Sequence, residues 1–192
     1  MSVLTAANQL TVLRLLLVPV FALCMLYERP GWALVTFAVA GGTDALDGLI
    51  ARRTGQFTTL GAWLDPMADK LLVATMFVML TVPGLGTVVR LPLWLTVLVL
   101  SRDIAIVLTV AIVNLAVSRR TFRPSLFGKI ATVVYVVTGV VTLYANHYGA
   151  RLAIVDWCVY SALAITLVSG AEYVVRMSRG MPEASAEQGP ST

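Results

Sequence analysis

Long apolar runs separated by short polar turns dominate this chain. Six of the runs approach or exceed the about 20 mostly apolar residues that a membrane-crossing helix needs. They cover roughly residues 9–27, 32–51, 60–82, 92–117, 126–146 and 152–176. Arg14 and Pro19 interrupt the first of them. The turns between them are marked by Arg-Pro-Gly at 29–31, Pro83-Gly84, Arg-Arg-Thr-Phe-Arg-Pro at 119–124 and Asn-His-Tyr-Gly at 146–149. Connections this short predict one bundle with no separate soluble domain. The expected fold is an all-α integral membrane protein with six transmembrane helices over residues 1–179. The Pro, Ser, Glu and Gly of 180–192 predict a disordered tail. The first run does not resemble a secretory signal, because no basic segment precedes it and no small-residue cleavage site follows. Residues 2–9 are expected to lie along the membrane surface as a short amphipathic entry.

Composition agrees with that pattern. The 192 residues are 58% hydrophobic and 12% charged, with a mean hydropathy of +0.86. A soluble domain is about 45–50% apolar and about 25% charged, so water-soluble readings are set aside. Cys24 and Cys158 lie in apolar runs without metal-ligand spacing and read as small buried hydrophobes. His147 is expected in a loop, exposed to solvent. Lys and Arg in the loops set the orientation. With the N-terminus inside, one side holds Arg52, Arg53, Arg119, Arg120, Arg123, Lys129, Arg176 and Arg179, and the other Arg29, Arg90 and Arg151. The excess predicts an N-in, C-in protein of the cytoplasmic (inner) membrane.

Against this background four aspartates stand out. They fall in Asp44-Ala-Leu-Asp47-Gly48-Leu-Ile-Ala51-Arg52 and, eight residues on, Gly61-Ala-Trp-Leu-Asp65-Pro-Met-Ala-Asp69. A carboxylate in a bilayer is costly unless it is paired, hydrated or bound to a cation. Asp44 and Asp47 are spaced i,i+3, and Asp65 and Asp69 i,i+4, so each pair shares one helix face. A turn of about eight residues makes the second and third helices antiparallel neighbours whose pairs can converge. An all-oxygen set suits Mg²⁺ or Mn²⁺, and four carboxylates fit two cations better than one. The expected orientation turns this site to the cytoplasm, where nucleotides and phosphorylated metabolites are found.

Neighbouring residues extend the picture. Gly48 and Ala51 share the face of Asp44 and Asp47 and leave room for a flat ligand; close helix packing is the other reading of such residues. Arg52 can counter the carboxylates or hold a phosphate, and Lys70 balances charge beside Asp69. Arg102 and Asp103 are adjacent within an apolar helix, where an arginine is expensive and often functional. Arg102 reads either as a structural pair with an acidic residue or, with Arg119, Arg123 and Lys129, as a pocket for an anionic co-substrate. The loop arginines also read as topology markers or anionic-lipid contacts.

The pattern D-x₂-D-G-x₂-A-R-x₈-G-x₃-D-x₃-D is matched at every specified position, by Asp44, Asp47, Gly48, Ala51, Arg52, Gly61, Asp65 and Asp69. On these residues the chain resembles the CDP-alcohol phosphotransferases. The likeness continues along most of the chain, and is nearest to the bacterial phosphatidylglycerophosphate synthases. Asn8-Gln-Leu-Thr11-Val-Leu-Arg14 is similar to their entry motif, Leu64-Asp65-Pro66-Met67-Ala68-Asp69-Lys70 to their third helix, and Gly128-Lys129 to the opening of their fifth. The resemblance implies a six-helix membrane fold and a homodimer. It implies transfer of a substituted phosphoryl group from a CDP-linked donor, here CDP-diacylglycerol, to an alcohol, with release of CMP. Asp44, Asp47 and Asp65 would then hold two metals, and Asp69 would be a metal neighbour and the general base. Asp44, Gly48, Ala51, Arg52 and Asn8 would lie with the CDP, and Arg102, Arg119, Arg123 and Lys129 with the acceptor. No nucleic-acid partner is implied.

The acceptor is less sharply defined. Phosphatidylglycerophosphate synthases carry Ala-Arg-Glu in the fourth helix, and this chain has Ser101-Arg102-Asp103, which resembles the CDP-diacylglycerol-dependent cardiolipin synthases. Ala7 also replaces the proline usual before Asn8. Glycerol 3-phosphate remains the expected acceptor, because the entry motif, length and basic cluster fit it. Phosphatidylglycerol, or another alcohol such as inositol phosphate, is the alternative. A divalent-cation transporter is the alternative from another class. It would place its acidic cluster near the midplane, whereas these aspartates sit towards one face.

Overall fold

The computed structural model describes the backbone of residues 6–54, 59–116 and 126–180, and side chains within 11–43, 67–109 and 126–175. Among these residues the chain is all helical, with six helices: α1 (Ala6–Leu26), α2 (Pro30–Thr54), α3 (Thr59–Thr81), α4 (Leu93–Ala116), α5 (Leu126–His147) and α6 (Ala153–Gly180). Each corresponds to one of the six apolar runs. Of the expected surface entry, Ala6 to Gln9 are part of α1, and residues 2–5 lie outside the described residues. The tail beyond 180 lies outside the described residues.

Local chemistry explains the helix ends. Pro30 opens α2 at the position where a missing N–H is harmless and its fixed φ is already helical. At the end of α1 the Glu28 N–H donates to the Met25 carbonyl and the Arg29 N–H to the Cys24 carbonyl. Glu28 takes φ 56° to do this. The end of α5 repeats the arrangement with Gly149 at φ 64°, its N–H donating to Asn146 and that of Ala150 to Ala145. Both are Schellman closures, which satisfy orphan carbonyls through one left-handed residue. His147 is the last residue of α5 rather than a loop residue; it is exposed, and its ring lies over Gly31, where a Cβ would meet Nδ1 at 2.6 Å.

Among the described residues the helix pairings close a ring, from α1 to α2, α5, α6, α4, α3 and back to α1. Helix α3 also touches α5 across the middle. The core lies there. Phe21 of α1 meets Phe37 of α2 edge-on at 6.1 Å, and Phe77 of α3 meets Tyr135 of α5 at 5.8 Å. A side chain on Gly139 of α5 would overlap the Met76 thioether, so the glycine lets α3 and α5 approach closely. Hydroxyls within this apolar core bond back to the carbonyl four residues earlier, as Thr142 does to Thr138 and Thr166 to Ala162. That disposes of polar groups that would otherwise be buried unpaired.

Leu126–His147 and Ala153–Val175 are long and apolar enough to cross a membrane, and only 33% and 28% of their apolar windows are buried within the protein. A soluble core helix would hide most of such a surface. By length, composition and exposure these two helices suit a membrane environment. Cys24 and Cys158 are free thiols, partly buried.

Candidate active site

The acidic motif is carried on two helices held by common neighbours. Asp44, Asp47, Gly48, Ala51 and Arg52 lie on the C-terminal half of α2, and Asp65 and Asp69 on the N-terminal half of α3. Both stretches are continuous helix, so the i,i+3 and i,i+4 spacings put each acidic pair on one face. Helices α1 and α5 each pack against both α2 and α3. The side chains of Asp44, Asp47, Gly48, Ala51, Arg52 and Asp65 lie outside the described residues, as does that of Asn8 in the first turn of α1. Among the described side chains no group of three His, Cys, Asp or Glu comes together. The donor set itself fits hard divalent cations, being all carboxylate oxygen.

Asp69 is the member of the set whose surroundings are described. Its Oδ1 lies 3.0 Å from Nη1 of Arg14 on α1. Arg14 is wholly buried, whereas the Asp69 side chain is 41% exposed. Thr11, one turn earlier on α1, is also fully buried. An arginine taken out of contact with water needs a partner, and α1 supplies its cation to the carboxylate from the protein side. In the sequence Arg14 looked only like an interruption of an apolar run and part of an entry motif. The cost of burying it was the signal that it must face an acid, but nothing local named which one.

A second polar cluster joins α4, α5 and α6. The Arg102 guanidinium donates through Nη1 to Asp103 Oδ1 at 2.7 Å and through Nη2 to the Ser169 hydroxyl of α6. Its side chain is 10% exposed, and its Nε has no hydrogen-bond partner among the described residues. Close by, the Tyr135 hydroxyl of α5 shares a 2.7 Å hydrogen bond with Thr166 of α6, within electrostatic reach of Arg102 and Asp103. Arg102 thus takes up the adjacent acid, the first of its two expected readings, and its Nε–H is left over from both contacts. Ser169, Tyr135 and Thr166 were not legible as site residues, since hydroxyls in apolar helices bond equally well to their own backbone. Lys129 is exposed in the first turn of α5, and Arg119 and Arg123 lie outside the described residues.

Comparison with known proteins follows the same residues. The CDP-alcohol phosphatidyltransferase family model matches residues 4–168. A probable phosphatidylglycerophosphate synthase of Mycobacterium tuberculosis is 37% identical over 183 residues, covering 90% of this chain and 81% of its own. A CMP-forming cardiolipin synthase of Streptomyces coelicolor is 34% identical over 190 residues, covering 92% and 84%. A CDP-diacylglycerol–glycerol-3-phosphate 3-phosphatidyltransferase of Bacillus subtilis is 29% identical over 184 residues, covering 86% and 91%. The matched span takes in α1 with Arg14, the whole acidic motif of α2 and α3, and the Arg102 cluster as far as Thr166. With that motif intact on continuous helices, the chain belongs to the CDP-alcohol phosphatidyltransferase family.

Proposed function

We propose that this protein transfers the phosphatidyl group of CDP-diacylglycerol to glycerol 3-phosphate, forming phosphatidylglycerophosphate and CMP. The observation that carries the reading is the complete acidic signature in a chain alignable over 90% of its length with a phosphatidylglycerophosphate synthase. In this reading the acceptor hydroxyl loses its proton to Asp69, its oxygen forms a bond to the β-phosphorus of the donor, and the bond from that phosphorus to the bridging oxygen breaks, releasing CMP. Asp69 acts as general base and needs only hydrogen-bond reach of the hydroxyl. Asp44, Asp47 and Asp65, with Asp69 beside them, hold two divalent cations, Mg²⁺ or Mn²⁺. When bound, these neutralise the diphosphate and stabilise charge on the departing CMP. Gly48 and Ala51 leave space for the cytidine, with Asp44, Arg52 and Asn8 around it. Arg102, Arg119, Arg123 and Lys129 attract the acceptor's phosphate.

All six helices span the bilayer in this reading, with both termini and the acidic site on the cytoplasmic side of the inner membrane, and two copies form a dimer. The loop charge bias and the six apolar runs support it. A site open to the bilayer lets the donor's acyl chains stay in lipid while its head reaches the aspartates.

A second acceptor has its own support. Ser101-Arg102-Asp103 departs from the Ala-Arg-Glu of the synthases, and the Streptomyces coelicolor relative is a cardiolipin synthase. The test is to incubate purified protein with labelled CDP-diacylglycerol, Mg²⁺ or Mn²⁺, and each acceptor in turn. CMP release with glycerol 3-phosphate but not phosphatidylglycerol supports the first acceptor. The reverse result replaces it with the second.

A further inference from the structure

We infer that Arg14 is a positioning residue for Asp69, holding the carboxylate from behind so that it presents a fixed orientation to the acceptor. The inference rests on the proposed role of Asp69 as base and names the group that aims it.

The asymmetry of the pair is the reason. Arg14 has no exposure to solvent, whereas Asp69 is 41% exposed. A cation brought in for charge balance alone could sit beside the carboxylate at the open side, where lysine or water would serve. Lys70, the next residue on α3, is partly exposed and has a long flexible stem. Asp69 forms an ion pair with an arginine on another helix, at 3.0 Å.

Arginine differs from lysine in presenting a rigid planar fork, so a contact to it fixes direction as well as charge. A carboxylate on its own helix turns freely about its side-chain bonds. The charge contact of Oδ1 with Nη1, an ion pair rather than a hydrogen bond, limits that freedom and ties the base to α1. Helix α1 packs along both α2 and α3, the two helices that carry the acidic motif. The orientation of the base is therefore set by a helix that contributes none of the four aspartates. Misplacing a reacting group by about 1 Å can cost about 100-fold in rate, so this contact matters beyond its contribution to stability.

The test uses the full-length protein in lipid or detergent and compares wild type with R14K, R14Q, D69N and the R14Q/D69N double variant. Thermal stability and the kinetics of CMP release are both measured. Positioning predicts that kcat per folded enzyme falls about 100-fold in R14Q. It predicts a smaller loss in R14K, because charge returns without the planar fork. KM for CDP-diacylglycerol should stay within about threefold, since ground-state binding is untouched. R14Q should cost nothing further on top of D69N. It should also lower the melting temperature less in the D69N background than in wild type, a readout that needs no activity. Should R14Q fail to fold, R14K carries the kinetic comparison.

A merely structural arginine would lower the melting temperature and the folded fraction while leaving kcat per folded enzyme at the wild-type value. That result, or full wild-type kcat in R14K, overturns the inference. So does multiplication of the two losses in the double variant. Absence of CMP release from wild type, or full turnover by D69N, counts instead against the proposed function. The thermal coupling between positions 14 and 69 still reports on the pair in that case: coupling supports the holding contact, and strictly additive shifts refute it.

Discussion

Ser169 on α6 accepts a hydrogen bond from the guanidinium of Arg102 on α4. The same guanidinium donates to Asp103 one residue along its own helix. The serine links α6 to an ion pair that would otherwise belong to α4 alone. Replacing Ser169 with alanine removes a hydrogen bond to a charged group, an interaction of about 1.5–3 kcal/mol. S169A is expected to lower the melting temperature. If Arg102 serves the acceptor, KM for glycerol 3-phosphate also rises in S169A, with KM for CDP-diacylglycerol unchanged. R102A should raise it further. Steady-state kinetics with each substrate varied separately checks both.

Removal of the divalent cations is the direct test of the acidic motif. Chelation with EDTA should abolish CMP release and leave the helical circular dichroism intact, with activity returning on addition of Mg²⁺ or Mn²⁺. D44N, D47N and D65N should each lose at least about 100-fold in kcat/KM, because each deletes an oxygen ligand from a site with few alternatives. Full activity after exhaustive chelation would remove the metal reading.

Gly139 and Met76 give a packing prediction. A methyl on Gly139 overlaps the end of the Met76 side chain. Methionine is flexible, so G139A should be tolerated at a cost of about 1 kcal/mol, near the low end for overpacking. G139V should cost more, because a branched side chain cannot be avoided by turning one thioether. M76A should partly restore G139V while destabilising the parent protein through its cavity. Thermal unfolding of the parent and the four variants in one detergent decides this.

Asn146 gives another. At the end of α5 it accepts from the Val89 N–H at 2.9 Å and donates to the Val89 carbonyl at 2.8 Å. It thus pins the segment between α3 and α4 to the bundle. N146A leaves both backbone groups to find water, at about 1–3 kcal/mol for a buried unpaired group. N146D can keep the contact with the N–H but cannot donate to the carbonyl, so it should lie between wild type and N146A. Amide hydrogen exchange at Val89 should quicken in N146A more than in N146D.

The end of α1 predicts a gain. Glu28 occupies a left-handed conformation, φ 56°, that costs a non-glycine residue roughly 1 kcal/mol. Gly149 plays the corresponding part at the end of α5 without that cost. E28G should raise the melting temperature slightly, and a fall would mean that the Glu28 side chain packed over Gly86 outweighs the backbone strain.

The six helices and the spacing of the acidic motif were determined by the sequence, because both depend on local periodicity. An apolar run of about 20 residues commits its backbone to a helix in a membrane wherever it lies. Residues at i, i+3 and i+4 then share a face whatever the tertiary fold. The boundaries of α2 to α5 follow the turn residues within a few positions for the same reason. Partnerships between helices were decided by the tertiary structure. Arg14 and Arg102 were visible as expensive residues in apolar runs, yet a cost carries no address. Asp103 was available to Arg102 as a neighbour in sequence, but Ser169 stands 67 residues away. Asp69 reaches Arg14 only through the packing of α1 on α3. Hydroxyls such as Ser169, Tyr135 and Thr166 blend into apolar helices until packing brings a charge beside them. The acid could therefore be read from the chain, and the cation that holds it could be found only in the fold.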